Sequence, residues 1–147
     1  MRYLLDFETK SSLSLPTVGT KRYLNAPDAD IVCMSWISWD DEEVSSTRLW
    51  LPGMPPPFSV EPTNKVYAYN IQFDYDVWHT LGLRYLLSPF TLSQCVDVMA
   101  ICGRYTYPQK LDFAGRVLQL KVQKDRKGKA LMSKICMPPF EYTDFTH

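Results

Sequence analysis

The sequence predicts an α/β domain of about five strands flanked by helices. Three observations carry that reading. Short apolar runs of strand length dominate the first half, segments with apolar residues at helical spacing follow them, and acidic residues end two of the apolar runs.

Residues 2–7 read as a buried strand, because Tyr3, Leu4, Leu5 and Phe7 form an apolar run too brief for a helix. Asp6 and Glu8 then share one face at its end. Residues 31–39, from Ile31 to Trp39, form a second strand, and Asp40-Asp41-Glu42-Glu43 makes a charged turn into a third near Thr47 to Leu51. Three consecutive strands suggest an antiparallel meander. Prolines at 52, 55, 56, 57 and 62 mark residues 52–64 as a loop. A fourth strand is predicted over Lys65 to Tyr69, and a helix over Ile71 to Leu87 follows from the spacing of Phe73, Val77, Trp78 and Leu81. Asp74 falls on the first turn of that helix. A short strand at Gln94 to Val96 leads to Asp97, a candidate cap for a helix opening at Val98. Two further helices are predicted near Lys110 to Leu120 and Gly128 to Cys136. All of this reads as a single domain over residues 1–147.

Composition narrows the function classes. With 46% apolar and 14% aromatic residues, the chain has the makings of a packed core, not of a disordered or fibrous protein. No apolar run approaches a membrane span, and the start reaches Asp6 before a signal-peptide hydrophobic region forms, so a cytoplasmic location is expected. Cys33, Cys95, Cys102 and Cys136 form no Cys-x-x-Cys pair, and only His79 and His147 are there to join them. Zinc is therefore disfavoured, and reduced, buried thiols are expected. Net charge is zero, but residues 1–100 carry 7 basic against 12 acidic side chains while residues 101–147 carry 9 against 4. A basic C-terminal third suits a polyanion bound on one face, or an ordinary solvated helix surface.

The chemistry lies in the two acidic motifs. In an extended strand residues i and i+2 point the same way, so Asp6 and Glu8 present two carboxylates side by side. Such a pair raises its own pKa unless a divalent cation holds both groups ionised, and hard oxygen donors of this kind suit Mg2+ or Mn2+. Asp74, at the head of the helix after the fourth strand, supplies a third carboxylate for a two-metal site that cleaves a phosphodiester.

Asp6-Phe7-Glu8-Thr9 and Asn70-Ile71-Gln72-Phe73-Asp74 resemble the first and second motifs of the DEDD superfamily of 3′–5′ exonucleases. Cys95 to Cys102, Gln109-Lys110-Leu111-Asp112 and Asp125 to Met132 further resemble the exonuclease region of phage family A DNA polymerases. The resemblance spans nearly the whole chain. It implies a ribonuclease H-like fold with a mixed central sheet, and metal-dependent removal of nucleoside monophosphates from DNA 3′ ends in the manner of polymerase proofreading. Asp6, Glu8 and Asp74 would then be the catalytic metal ligands. Thr9 would lie near the terminal nucleotide, and Asn70 and Phe73 would shape the helix start and the substrate groove. A phage-encoded protein of this kind would work in the host cytoplasm.

One expected part is not evident. The family's third motif supplies a last ligand and a residue that orients water. Phe140-Glu141-Tyr142-Thr143-Asp144 has an aromatic residue and an aspartate at the right interval, but no phenol at the aromatic position, and Pro138-Pro139 argues against a long helix there. Asp144 is one candidate for the missing ligand, and a motif beyond His147 is the other, so a C-terminally truncated domain is expected. Without that helix the sheet should expose apolar surface, suited to self-association or to docking a polymerase portion.

Lys121, Lys124, Arg126, Lys127, Lys129 and Lys134 make a basic segment around Asp125. Lys124, Lys127 and Lys129 are its candidate phosphate contacts, with single-stranded DNA 3′ ends as the expected partner. The competing expectation is a catalytically incomplete DNA-binding or polymerase-associating module of the same fold. A ribonuclease is a third, because no residue reads the 2′-hydroxyl.

Overall fold

The computed structural model describes residues 1–136. Five strands make one sheet: β1 (Arg2–Lys10), β2 (Asp30–Trp39), β3 (Arg48–Trp50), β4 (Lys65–Ala68) and β5 (Cys95–Asp97). Their spatial order is β3-β2-β1-β4-β5. The first three pair antiparallel, as a meander requires, whereas β1–β4 and β4–β5 are parallel. A parallel pair needs a crossover, and helix α3 (Ile71–Thr80) provides it between β4 and β5. The sheet is mixed, and its flanking helices complete an α/β architecture of the ribonuclease H-like kind.

β1 is central and sets the two faces. Tyr3, Leu5, Phe7 and Thr9 point into the core, while Leu4, Asp6 and Glu8 point to the other side. Opposite Glu8 and Thr9 the register slips by one residue on β2, from Cys33 to Ile31. That bulge lets both Ile31 and Met34 turn into the core. On the packed face, Trp78 and Val77 of α3 are fully buried against Phe7, Val66 and Leu81. Two short helices lie between β1 and β2, α1 (Leu15–Val18) and α2 (Thr20–Leu24), a stretch for which the sequence gives no assignment, and Tyr23 and Leu24 of α2 join the core. The proline-rich loop is more than a connection: Phe58 lies flat on Tyr3 at 4.1 Å and tilts against Trp78.

Three helices differ in extent from expectation. α3 stops at Thr80 and is followed by a 3₁₀ turn at Gly82–Tyr85, where a helix running to Leu87 was predicted. Leu87 N–H returns to Gly82 O while Leu86 adopts φ 63°, which closes the end as a Schellman cap. Gly82 permits this, since a β-carbon there would stand 2.8 Å from the buried Leu87 side chain. In the C-terminal third, α4 (Val98–Arg104) is capped by Asp97, α5 covers only Leu111–Val117, and α6 runs over Arg126–Cys136. α6 starts two residues before Gly128, because Asp125 accepts the Lys127 N–H at 2.9 Å. Of the thiols, Cys102 is buried and Cys33, Cys95 and Cys136 are only half-buried, all four unpaired. No helix among the described residues is long and apolar enough to cross a membrane.

Candidate active site

The three predicted carboxylates come together around one point on β1. Pairing of β1 with β4 ends at Leu4 opposite Tyr67, so beyond it the edge of β1 has lost its neighbour. There the Phe7 N–H donates to Asp74 Oδ1 at 3.1 Å. Phe7 lies between Asp6 and Glu8, so the bond sets Asp74 at the backbone between the other two acids. Asp74 is 4% exposed. Its position depends on the turn before it, where Asn70 takes a left-handed conformation, φ 67° and ψ 58°, and donates its N–H to Asp97 Oδ1 at 3.0 Å. Asparagine tolerates that conformation better than other side-chain-bearing residues do. Asp97 also accepts from Met99 N at 3.0 Å, so one carboxylate caps α4 and ties it to the start of α3.

Burial, above all, pushes the Asp74 pKa up to about 7. The Phe7 N–H opposes this, and the nearby Asp6 and Glu8 charges add to it. Asp6 is raised by the protein packed around its carboxyl and held back by Lys124, while Glu8 is raised by burial and by Asp6, again against Lys124. Cys33, opposite Glu8 on β2, is pushed up by burial and by both acids. Three carboxyls, each held back from ionisation chiefly by burial, have the donor chemistry that a hard divalent cation satisfies. Among the described residues, however, no three acidic, cysteine or histidine side chains stand in a preformed cage. Charge, more than closed geometry, suits these groups to a cation.

The other predicted residues separate. Phe73 is half-buried and lines a cleft of about 530 Å³ together with Glu8, Lys124 and Lys129. Thr9 borders this cleft, but strand alternation turns its hydroxyl to the core, where it pairs with Tyr23 at 3.0 Å. Lys127 is exposed and outside the lining of the clefts around the acids. His79 is structural: Phe90 N–H donates to its Nε2 at 3.2 Å, which leaves its Nδ1–H to donate to Tyr75 O at 2.8 Å. Asp144 lies outside the described residues. On the outward face a mainly apolar cavity of about 370 Å³, lined by Leu4, Ile37, Tyr69, Val98 and Leu111, opens beside Asp6. Sequence reasoning missed this cavity, because its walls come from four elements far apart in the chain.

Against solved structures, the chain is similar to Exonuclease I in its apo form, at 12% identity with a TM-score of 0.55. The match covers 91% of this chain and 41% of that one, so the chain spans less than half of its length. Three solved chains match in all. No protein-family model matches, and no curated protein does. The likeness is therefore one of fold.

Proposed function

We propose that this chain is a metal-dependent 3′–5′ exonuclease, or the exonuclease portion of a larger enzyme, that removes nucleoside monophosphates from DNA 3′ ends. The observation that carries the reading is the Asp74 bond to Phe7 N–H between Asp6 and Glu8, within a fold shared with Exonuclease I. It sets Asp74 against the segment of β1 that carries Asp6 and Glu8.

In this reading Asp6, Glu8 and Asp74 would hold Mg2+ or Mn2+. Bound there, such a cation lowers the pKa of a coordinated water and neutralises charge on the phosphodiester. The remaining work belongs to the chain. Asp6 and Glu8 present oxygens on the outward face of β1, and α3 fixes Asp74 through Phe7 and Asn70. Lys124 lowers the charge of the acidic group and, with Lys129, faces the cleft that a phosphate backbone would occupy. Phe73 forms the apolar wall beside Glu8.

A second reading, a DNA-binding module that keeps the fold without turnover, is favoured by the lack of a closed three-ligand cluster among the described residues. Incubation with 5′-labelled single-stranded DNA and Mg2+ or Mn2+ separates the two. A ladder that shortens from the 3′ end, vanishes with chelator and is lost in Asp6→Ala supports the exonuclease. Inert wild type that still binds DNA supports the module, and loss in Asp144→Ala as well would place a fourth ligand within this chain.

A further inference from the structure

A cleft of about 670 Å³ opens between the starts of α5 and α6, and its walls include Lys110, Phe113, Lys124 and Lys129. Two of these lysines, Lys124 and Lys129, also line the cleft that contains Glu8 and Phe73. The two spaces thus meet at Lys129 and at Lys124, the lysine whose charge acts on Asp6 and Glu8.

The cleft is lined by three lysines against two aspartates, Asp112 and Asp125, and is net positive. Asp112 is held by Arg116 at 2.6 Å, and Asp125 accepts from Lys127 N–H. Lys110, Lys124 and Lys129 make no ion pair within the described residues. Among them stands Phe113, 48% exposed, with the Arg116 guanidinium 5.5 Å from its ring centre. The Asp112 bond pins that guanidinium. An exposed aromatic ring between cations is the composition that binds an unpaired strand, because every base has a face to stack and every linkage a phosphate to neutralise. A duplex hides its base faces and offers such a ring nothing.

We infer that a single-stranded nucleic acid lies along the α5–α6 cleft, one base stacked on Phe113 and its phosphates on Lys110, Lys124 and Lys129, with the strand end led past Lys124 toward Glu8. The direction of the strand rests on the exonuclease reading; the groove does not.

Fluorescence anisotropy with labelled oligothymidylate, in chelator so that nothing is cleaved, tests it. Phe113→Ala is expected to weaken binding roughly 10-fold while leaving the salt dependence intact, with affinity retained in Phe113→Trp. Lys110→Ala should instead lower the salt slope by about one. Thermal unfolding checks that the variants fold, which half-exposed positions favour. Wild-type affinity in Phe113→Ala overturns the inference, as does equal binding of blunt duplex or no binding by the wild type. Oligouridylate in parallel shows whether the groove discriminates DNA from RNA. A wild type that binds as described but never cleaves refutes the exonuclease reading alone. One that cleaves, with Phe113→Ala unaffected in binding, refutes the groove alone.

Discussion

Replacing Asp74 with asparagine should change how stability depends on pH. The folded protein holds the Asp74 proton up to about pH 7, whereas the carboxyl has its ordinary value of 3.8 when unfolded. Between those values the native state binds more protons than the unfolded state, so stability falls as pH rises. The contribution is fully present below the unfolded value and is lost as pH climbs through about 7. A gap of about three pH units at about 1.4 kcal/mol each sets an upper bound of about 4 kcal/mol. Asp6 and Glu8, both raised, steepen the same decline. Asparagine retains an oxygen to accept the Phe7 N–H and carries no charge, so it removes the Asp74 share and keeps the bond.

The assay is urea unfolding followed by tryptophan fluorescence in chelator, from about pH 4 to about pH 8, for wild type and Asp74→Asn. Relative to wild type the variant should gain up to about 4 kcal/mol across that range, or a midpoint rise of roughly 10 °C in a thermal version. Saturating Mn2+ at high pH should restore the wild type, by about 2.7 kcal/mol at a hundred times its dissociation constant, and do little for the variant. A difference between the two proteins that is the same at every pH would refute the argument, because it would mean Asp74 ionises alike in both states.

The same proton competes with metal. Mn2+ affinity, read by isothermal titration, should rise with pH until about 7 and then level off, with proton release on binding. Asp97→Ala should cost about 1–2 kcal/mol in urea unfolding, since it removes both the α4 cap and the tie to Asn70. Asn70→Gly should be nearly neutral and Asn70→Val destabilising by about 1–2 kcal/mol, because the left-handed backbone penalises a branched side chain. Trp78→Ala, which empties a fully buried site under Phe7 and Phe58, should cost about 3–5 kcal/mol and broaden the thermal transition.

Much of this architecture was legible from periodicity and spacing. The apolar run at Tyr3 to Phe7, the meander, the strand at Lys65 and the Asp97 cap all follow from local rules, and the structure has each. The misses share a cause: they were decided by distant residues. The turn after α3 is closed by Leu87, which packs back over Gly82, a contact that helical spacing does not encode. The cavity beside Asp6 takes its walls from β1, β2, α4 and α5, which only the fold brings together.

The carboxylates divide in the same way. Asp6 and Glu8 are side by side by virtue of strand geometry alone, and the sequence is enough to pair them. Asp74 reaches them only because β4 stops at Ala68, two residues before the left-handed turn at Asn70, and leaves the Phe7 N–H without a strand partner. That vacant donor fixes the carboxylate in place, and the burial that comes with it raises the pKa. A longer β4 would satisfy Phe7 from the backbone and displace Asp74 from the acids, so the end of that strand is as much a part of the site as the three carboxylates are.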